Sequence, residues 1–338
     1  MQLSYEIREL ELRHTFHIAH GASATRRNVL LRLGDGLGEA APVAYHGESA
    51  EGVVATLERW RPELERLYDP AAIAWLLQRL PGSRAARAAV DIALHDAWGK
   101  RVGRPLYQLL GLSGLPLPPT SFTIAITAPH ELVARVQDAA GYPVLKVKLG
   151  TDRDLAIVQT IRTTAPHTTI RVDANAAWTV EQALELIPQF AELGVELIEQ
   201  PLAVDDLAGM RQLKQARLPV PIIADESVKA PADIVRLADA VDGVNVKLMK
   251  TGGIRGALAA IETARSCGLK VMLGCMIETS LGATAAAHLA GLADWVDLDG
   301  PLLIANDPFA GVQYAGAELL LPAGPGLGVT ARSPAALS

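Results

Sequence analysis

Cysteine is nearly missing from this 338-residue chain, where Cys267 and Cys275 are the only two. Two thiols make neither a disulfide framework nor a zinc-type cluster, so they read as ordinary reduced cysteines without a redox role. No apolar run reaches the roughly 18 residues that a membrane-spanning helix needs. The opening MQLSYEIRELELRH places charges where a signal peptide would be apolar, so the chain reads as cytoplasmic with no membrane partner. A basic stripe is also missing. The net charge of −6 comes from interspersed acids and bases, which argues against nucleic acid as a partner. What is abundant is apolar residues, 50% of the chain, enough for a substantial core and, at this length, two domains.

Residues 1 to about 40 alternate apolar and polar positions, and GDG at 34 to 36 reads as a hairpin turn, so an antiparallel sheet opens the chain. Gly34, Gly36 and Gly38 spell G-x-G-x-G, but Glu39 and Pro42 stand where a phosphate-binding helix would begin, which excludes a dinucleotide site. From about 51 to 110 the period is helical. It is clearest in AARAAVDIALHDAWGKR, where Val90, Ile92, Leu94 and Trp98 lie among alanines suited to close packing and His95 reads as a packed or surface residue. Beyond Pro116 to Pro119 the rhythm changes to eight short apolar segments: SFTIAI, VLKVKLG, TIRVDAN, ELIEQP, PIIADES, GVNVKLM, KVMLGCM and WVDLDGP. Each except the last precedes an amphipathic helical stretch, the pattern of parallel βαβ units closing into a barrel. The expected architecture is α/β: an α+β cap over 1–115, a modified TIM-type β/α barrel over 116–304, and a tail over 305–338 that returns to the cap.

Asp173, Glu199 and Asp225 are separated by 26 residues at each step (199−173 and 225−199), which places them at equivalent ends of three adjacent strands. Active sites of such barrels lie at that rim. A single acid there would read as a helix cap or an arginine partner, but three aimed at one point repel one another unless a cation joins them. Oxygen ligands without paired histidines or thiolates suit one Mg²⁺. Lys146 and Lys148 share a strand face, and Lys247 lies on the strand opposite theirs, so two lysines flank the carboxylates. A lysine near a divalent ion and a second ammonium is expected to have its pKa lowered toward that of a base. Lys148 is the expected base, Lys146 an electrostatic partner. Lys250 competes with Lys247, but strand parity favours Lys247. Asp297 and Asp299 form a second acidic pair away from the trio, matched to a substrate ammonium; an Asx-turn or a helix cap would explain only one of them.

The segments KVK, VDAN, IEQP, ADES and NVKLMKTGG resemble the enolase superfamily, in its muconate-lactonizing subgroup, along nearly the whole chain. The resemblance implies that Asp173, Glu199 and Asp225 hold Mg²⁺ and that Lys148 and Lys247 form an acid/base pair acting on an α-proton. VDLDGP looks like the D-x-D motif of dipeptide epimerases. This implies inversion of the α-carbon of the C-terminal residue of an L-Ala-L-Xaa dipeptide by two-lysine 1,1-proton transfer through an enediolate. Cys275 and Glu278, in GCMIETS, are expected to line the pocket, with Glu278 supporting a lysine or sitting at a helix N-terminus. The cap loops HIAHGASATRR and YHGES are expected to read the substrate side chain. His20 stands there where some relatives specific for Ala-Glu carry an arginine, and Arg26 and Arg27 read as surface residues. Competing readings are an o-succinylbenzoate synthase/N-acylamino acid racemase or a cycloisomerase on the same metal and lysines, and an inactive barrel that only binds. A homo-oligomer stays open.

Overall fold

The computed structural model describes residues 1–19, 21–66, 77 and 79–332. His20 lies outside the described residues. Strands β1 (Leu3–Ile18), β2 (Gly21–Leu33) and β3 (Gly36–Ala40) form an antiparallel meander, turned between β2 and β3 at Gly34, whose φ of 59° suits glycine. Helices α1 (Ala50–Arg66) and α2 (Arg84–Val102) pack against it. Ser83 caps α2 through its Oγ, which accepts from Ala86 N at 3.0 Å. The alanine run of α2 is buried against β3, where a Cβ on Gly36 or Gly38 would overlap the carbonyl oxygens of Ala93 and Ala89. Those glycines serve close packing of strand on helix.

The eight apolar segments become eight parallel strands: β4 (Phe122–Ile124), β5 (Val144–Lys148), β6 (Thr169–Asp173), β7 (Val195–Glu199), β8 (Ile222–Ala224), β9 (Gly243–Lys247), β10 (Lys270–Gly274) and β11 (Trp295–Asp297). Each of the seven crossings carries a helix. β11 is followed only by a 3₁₀ turn at Gly300–Leu303, which is the modification of the barrel. The ring closes narrowly, by a parallel bridge between Thr120 and Val296 and a hydrogen bond from Ser121 N to Val296 O at 3.1 Å. Among the described residues no helix is long and apolar enough to cross a membrane.

Cap and barrel meet on a buried carboxylate. Glu39, at the end of β3, accepts from Asn28 Nδ2 (2.7 Å), Thr279 N (3.0 Å), Thr279 Oγ1 (2.5 Å) and Gly282 N (2.9 Å), so its two oxygens bind both layers. The segment after β11 runs back over the N-terminal elements: Ala305 N donates to Glu11 O at 2.8 Å, Leu327 N to Asp96 Oδ1 of α2 at 2.9 Å, and Leu106 N to Gly326 O at 2.8 Å.

His288 fastens this return. Its Nδ1 accepts from Tyr107 N and its Nε2 donates to Leu327 O, both at 3.2 Å, an arrangement that requires the neutral Nε2–H tautomer. Burial pulls its pKa from the ordinary 6.5 to about 4. Between those values the unfolded chain takes up a proton that the folded chain refuses, so folding stability falls as pH drops through the window. It levels off below about 4, where both states are protonated. The loss from this one group reaches about 3 kcal/mol. Chemical denaturation at pH 6.5 and pH 4 should show a smaller drop in His288→Asn than in the parent; equal drops would mean that His288 is not the titrating group.

Candidate active site

Asp173 and Glu199 end β6 and β7 as cross-strand partners, and Lys148 ends β5 beside Asp173. Asp225 lies just beyond β8, two positions past Ile223, the partner of Glu199. The even 26-residue spacing along the chain thus meets the stagger of tilted barrel strands, and the three carboxylates still converge: one oxygen from each lies within 4.8 Å of the others. All three are buried. Parallel strands with both faces covered hold them rigidly, and their apolar neighbours exclude the water that would otherwise screen them.

Four ammonium groups answer these acids. Lys146 Nζ lies 2.7 Å from Glu199 Oε2, 2.7 Å from Asp297 Oδ2 and 3.1 Å from Asp173 Oδ2. Lys148 Nζ is 2.7 Å from Asp173 Oδ2, and Lys247 Nζ is 2.7 Å from Asp225 Oδ2. Because β5 and β9 bracket β6, β7 and β8, Lys148 and Lys247 stand on opposite flanks of the trio. Lys250 is also recruited, at 2.5 Å from Asp225 Oδ1. Strand parity favoured Lys247 over it, but β9 ends at Lys247 and Leu248–Thr251 coils into one helical turn that brings Lys250 to Asp225 as well.

The charge balance is uneven. Burial would raise Asp173, but Lys148 and Lys146 outweigh it and hold the group at about 2. Glu199 goes the other way, to about 8, through burial and the neighbouring Asp173. Its Oε2, close as it is to Lys146, makes no hydrogen bond of acceptable geometry. A buried carboxylate trio of which one member resists ionisation, built of hard oxygen donors without histidine or thiolate, fits a single Mg²⁺. The expected lowering of the lysines is not produced by these carboxylates. Burial acts to lower Lys146 and Lys247, but Asp297 and Glu199 in one case and Asp225 in the other hold them well above the ordinary lysine value.

The barrel mouth encloses a cavity of about 70 Å³ lined by Lys146, Lys148, Lys247, Cys275, Asp297 and Asp299, with Asn175 and Thr123 beside them. A larger cleft of about 980 Å³ lies between cap and barrel at Lys229 and Arg255, away from these groups. Within the acidic pair the two members differ. Asp297 is engaged by the chain itself, accepting from Ser121 Oγ at 2.6 Å and from Lys146. Among the described residues the Asp299 carboxylate is held by Thr123 alone, through its N at 2.7 Å and its side chain, and burial together with Asp297 raises it to about 7. Of the two placements expected for Glu278, the structure gives the helix N-terminus: among the described residues it makes no hydrogen bond to a lysine, and it does not line this cavity but precedes the cap residue Thr279. Its Oε1 curls back to accept from Met276 N at 2.8 Å, and its other oxygen lies against Gly282 under the helix Ser280–Ala287. Burial and Glu39 lift its pKa to about 8.

The cap closes the cavity with Phe16, Ile18, Arg26, Val43 and Tyr45. Arg26, read from sequence as a surface residue, faces the cavity, whereas Arg27 points outward to an exposed pair with Glu51. Alternation along β2 was the available signal: Asn28 faces the barrel, so Arg26 does too.

Residues 5–111 match the N-terminal domain of mandelate racemase and muconate lactonizing enzyme, and residues 129–335 match the enolase C-terminal domain-like family. An L-Ala-D/L-amino acid epimerase from Maribacter sp. is 38% identical over 339 residues, covering 98% of this chain and 99% of the relative. The substrate-liganded L-Ala-D/L-Glu epimerase from Bacillus subtilis superposes with a TM-score of 0.92 at 35% identity, covering 98% of each chain. A dipeptide epimerase from Cytophaga hutchinsonii, complexed with Mg and D-Ala-L-Val, superposes with a TM-score of 0.90 at 29% identity, covering 98% of this chain and 96% of that one. With both halves matched, the carboxylate trio in place and the lysines on either side of it, the chain belongs to the mandelate racemase/muconate lactonizing enzyme group of the enolase superfamily.

Proposed function

We propose that this chain is a Mg²⁺-dependent dipeptide epimerase that inverts the α-carbon of the C-terminal residue of L-Ala-L-Xaa dipeptides. The observation that carries the reading is the placement of Lys148 and Lys247 on opposite flanks of the trio, with Asp299 left to meet an ammonium. Asp173, Glu199 and Asp225 hold the ion. When bound, Mg²⁺ supplies the Lewis-acidic charge that stabilises negative charge on the substrate carboxylate. Lys148 takes the α-proton on one face and Lys247 returns one on the other, so that a planar carbon is reprotonated with inverted configuration. Lys146 pairs with Asp297 and with Glu199 between the two sites. Asp299 binds the free amino group, and Cys275 contributes a wall of the cavity. The region 1–115 with 305–338 serves as the cap of a barrel spanning 116–304, and the proposed setting is cytosolic.

Four outcomes are expected. Chelation by EDTA should abolish activity and Mg²⁺ restore it. In a thermal melt Mg²⁺ should raise the unfolding midpoint of the parent more than that of Asp225→Asn, since only an ion bound to the folded state stabilises it; equal shifts would move the ion elsewhere. Lys148→Ala and Lys247→Ala should each lower epimerisation by roughly 10³-fold or more, and in D₂O each should retain wash-in of deuterium from at most one configuration. Unchanged turnover in either removes that lysine from the chemistry. Asp299→Asn should lower kcat/KM for a free dipeptide by roughly 30- to 100-fold. Wild-type preference for an N-acylated substrate over the free dipeptide would instead favour the N-acylamino acid racemase reading.

A further inference from the structure

The cleft of about 980 Å³ between cap and barrel has no part in the proposed reaction, and Val43 and Met276, which line both spaces, partition it from the catalytic cavity. Its two sides carry like charge. Arg84 and Arg87 of α2 face it from the cap, and Lys229 and Arg255 face it from the barrel. Among the described residues the side chains of Arg84, Lys229 and Arg255 make no hydrogen bond or ion pair. Arg87 donates from Nη2 to Leu80 O at 2.9 Å; burial and Arg84 act against its charge, and Asp91 favours it. The acids on the cleft are spent on the ends of helices. Glu48 accepts from Ser83 Oγ at 2.7 Å and from Ala85 N at 3.3 Å at the start of α2, and Asp91 accepts from Arg255 N at 3.1 Å at the start of the helix Ile254–Ser266. His46 adds no charge, because burial pulls its pKa to about 3. Two helices therefore begin at the cleft, each with an arginine and no acid in its first turn. A helix N-terminus is the positive end of the helix dipole, so stability alone would place acids there.

We propose that this cleft binds a small organic molecule carrying two phosphate groups, one met by Arg84 and Arg87 and the other by Lys229 and Arg255, so that the ligand ties the cap to the barrel. A phosphate brings about two negative charges and three acceptor oxygens, enough to answer a pair of cations, and the fork of an arginine matches it bidentately. The volume suits a metabolite-sized ligand and far exceeds that of a bare ion. Met249 and Pro231 offer apolar wall to its organic body.

The probes are inorganic phosphate and fructose 1,6-bisphosphate, added to the Mg²⁺-loaded enzyme with Mg²⁺ in excess and ionic strength matched by potassium chloride. Calorimetric titration should show one bisphosphate per chain, bound at least about 10-fold tighter than phosphate because both ends engage. Both probes should raise the unfolding midpoint above that in chloride. In the double variant Arg84→Ser/Arg255→Ser, affinity for the bisphosphate should fall roughly 10-fold or more. Without phosphate that variant should melt no lower than the parent, since each removed charge is exposed and sits at the unfavourable end of a helix. Probes that act no more than chloride, or a bisphosphate no tighter than phosphate, overturn the assignment. So does a double variant that binds as the parent does, which would put the phosphate elsewhere, or one that melts well below the parent without phosphate, which would make the arginines structural. Succinate binding as tightly as the bisphosphate would replace phosphate by carboxylate as the ligand chemistry and overturn the assignment as stated. The epimerase reading stands or falls independently of all these results.

Discussion

Three carboxylates buried at one rim of a barrel are the constraint around which the rest is arranged. In a low-dielectric interior, like charges this close cannot all ionise unassisted, and Glu199, held up at about 8, registers that conflict. The fold answers with lysines delivered from neighbouring strands. Lys148 and Lys247 end their strands, Lys250 lies in the turn after β9, and Lys146 stands two residues back on the same face of β5 as Lys148, so the same backbone geometry that concentrates the acids also concentrates the bases. Structural neutralisation and proton transfer draw on the same side chains.

The barrel and the cap divide the work. Strands β5 to β9 place the acids and the flanking lysines, and β11 with its following turn places the second acidic pair next to the seam where the ring closes at Thr120 and Val296. Among the described residues, the cap reaches the mouth through the β1–β2 hairpin and the segment holding Tyr45. Glu39 fixes the angle between the two layers. Because its four donors come from both, the hairpin cannot shift far over the barrel without unpairing a buried group.

Most of the barrel and its acids were legible because a fully covered parallel strand is written as a short apolar run, and a polar residue ending that run has few structural reasons to be there. The trio, the flanking lysines and the aspartate pair were found by that rule. It failed where the strand stops. Lys250 sits in a helical turn in which parity no longer applies, and Glu278 in a loop that doubles back after β10 instead of continuing toward the cavity. Arg26 was missed for a different reason. A long hairpin such as β1–β2 leaves its parent sheet, and the sequence does not say what its tip will cover. His20, expected at that tip, lies outside the described residues.

Lys250 also ties the acidic centre to the seating of the cap. The helical turn that carries it packs against α2, and Gly252 and Gly253 just after it leave no room for a side chain against Arg87 and Asp91, while Asp91 accepts from Arg255 N at 3.1 Å. The turn is therefore shaped by the N-terminal helix as much as by the strand before it. A barrel severed from its first hundred residues would lose the surface on which that turn rests, and Asp225 would lose the support for one of its two ammonium partners. The acidic centre and the junction of the two layers are one cooperative unit, to be gained or lost together as the chain folds.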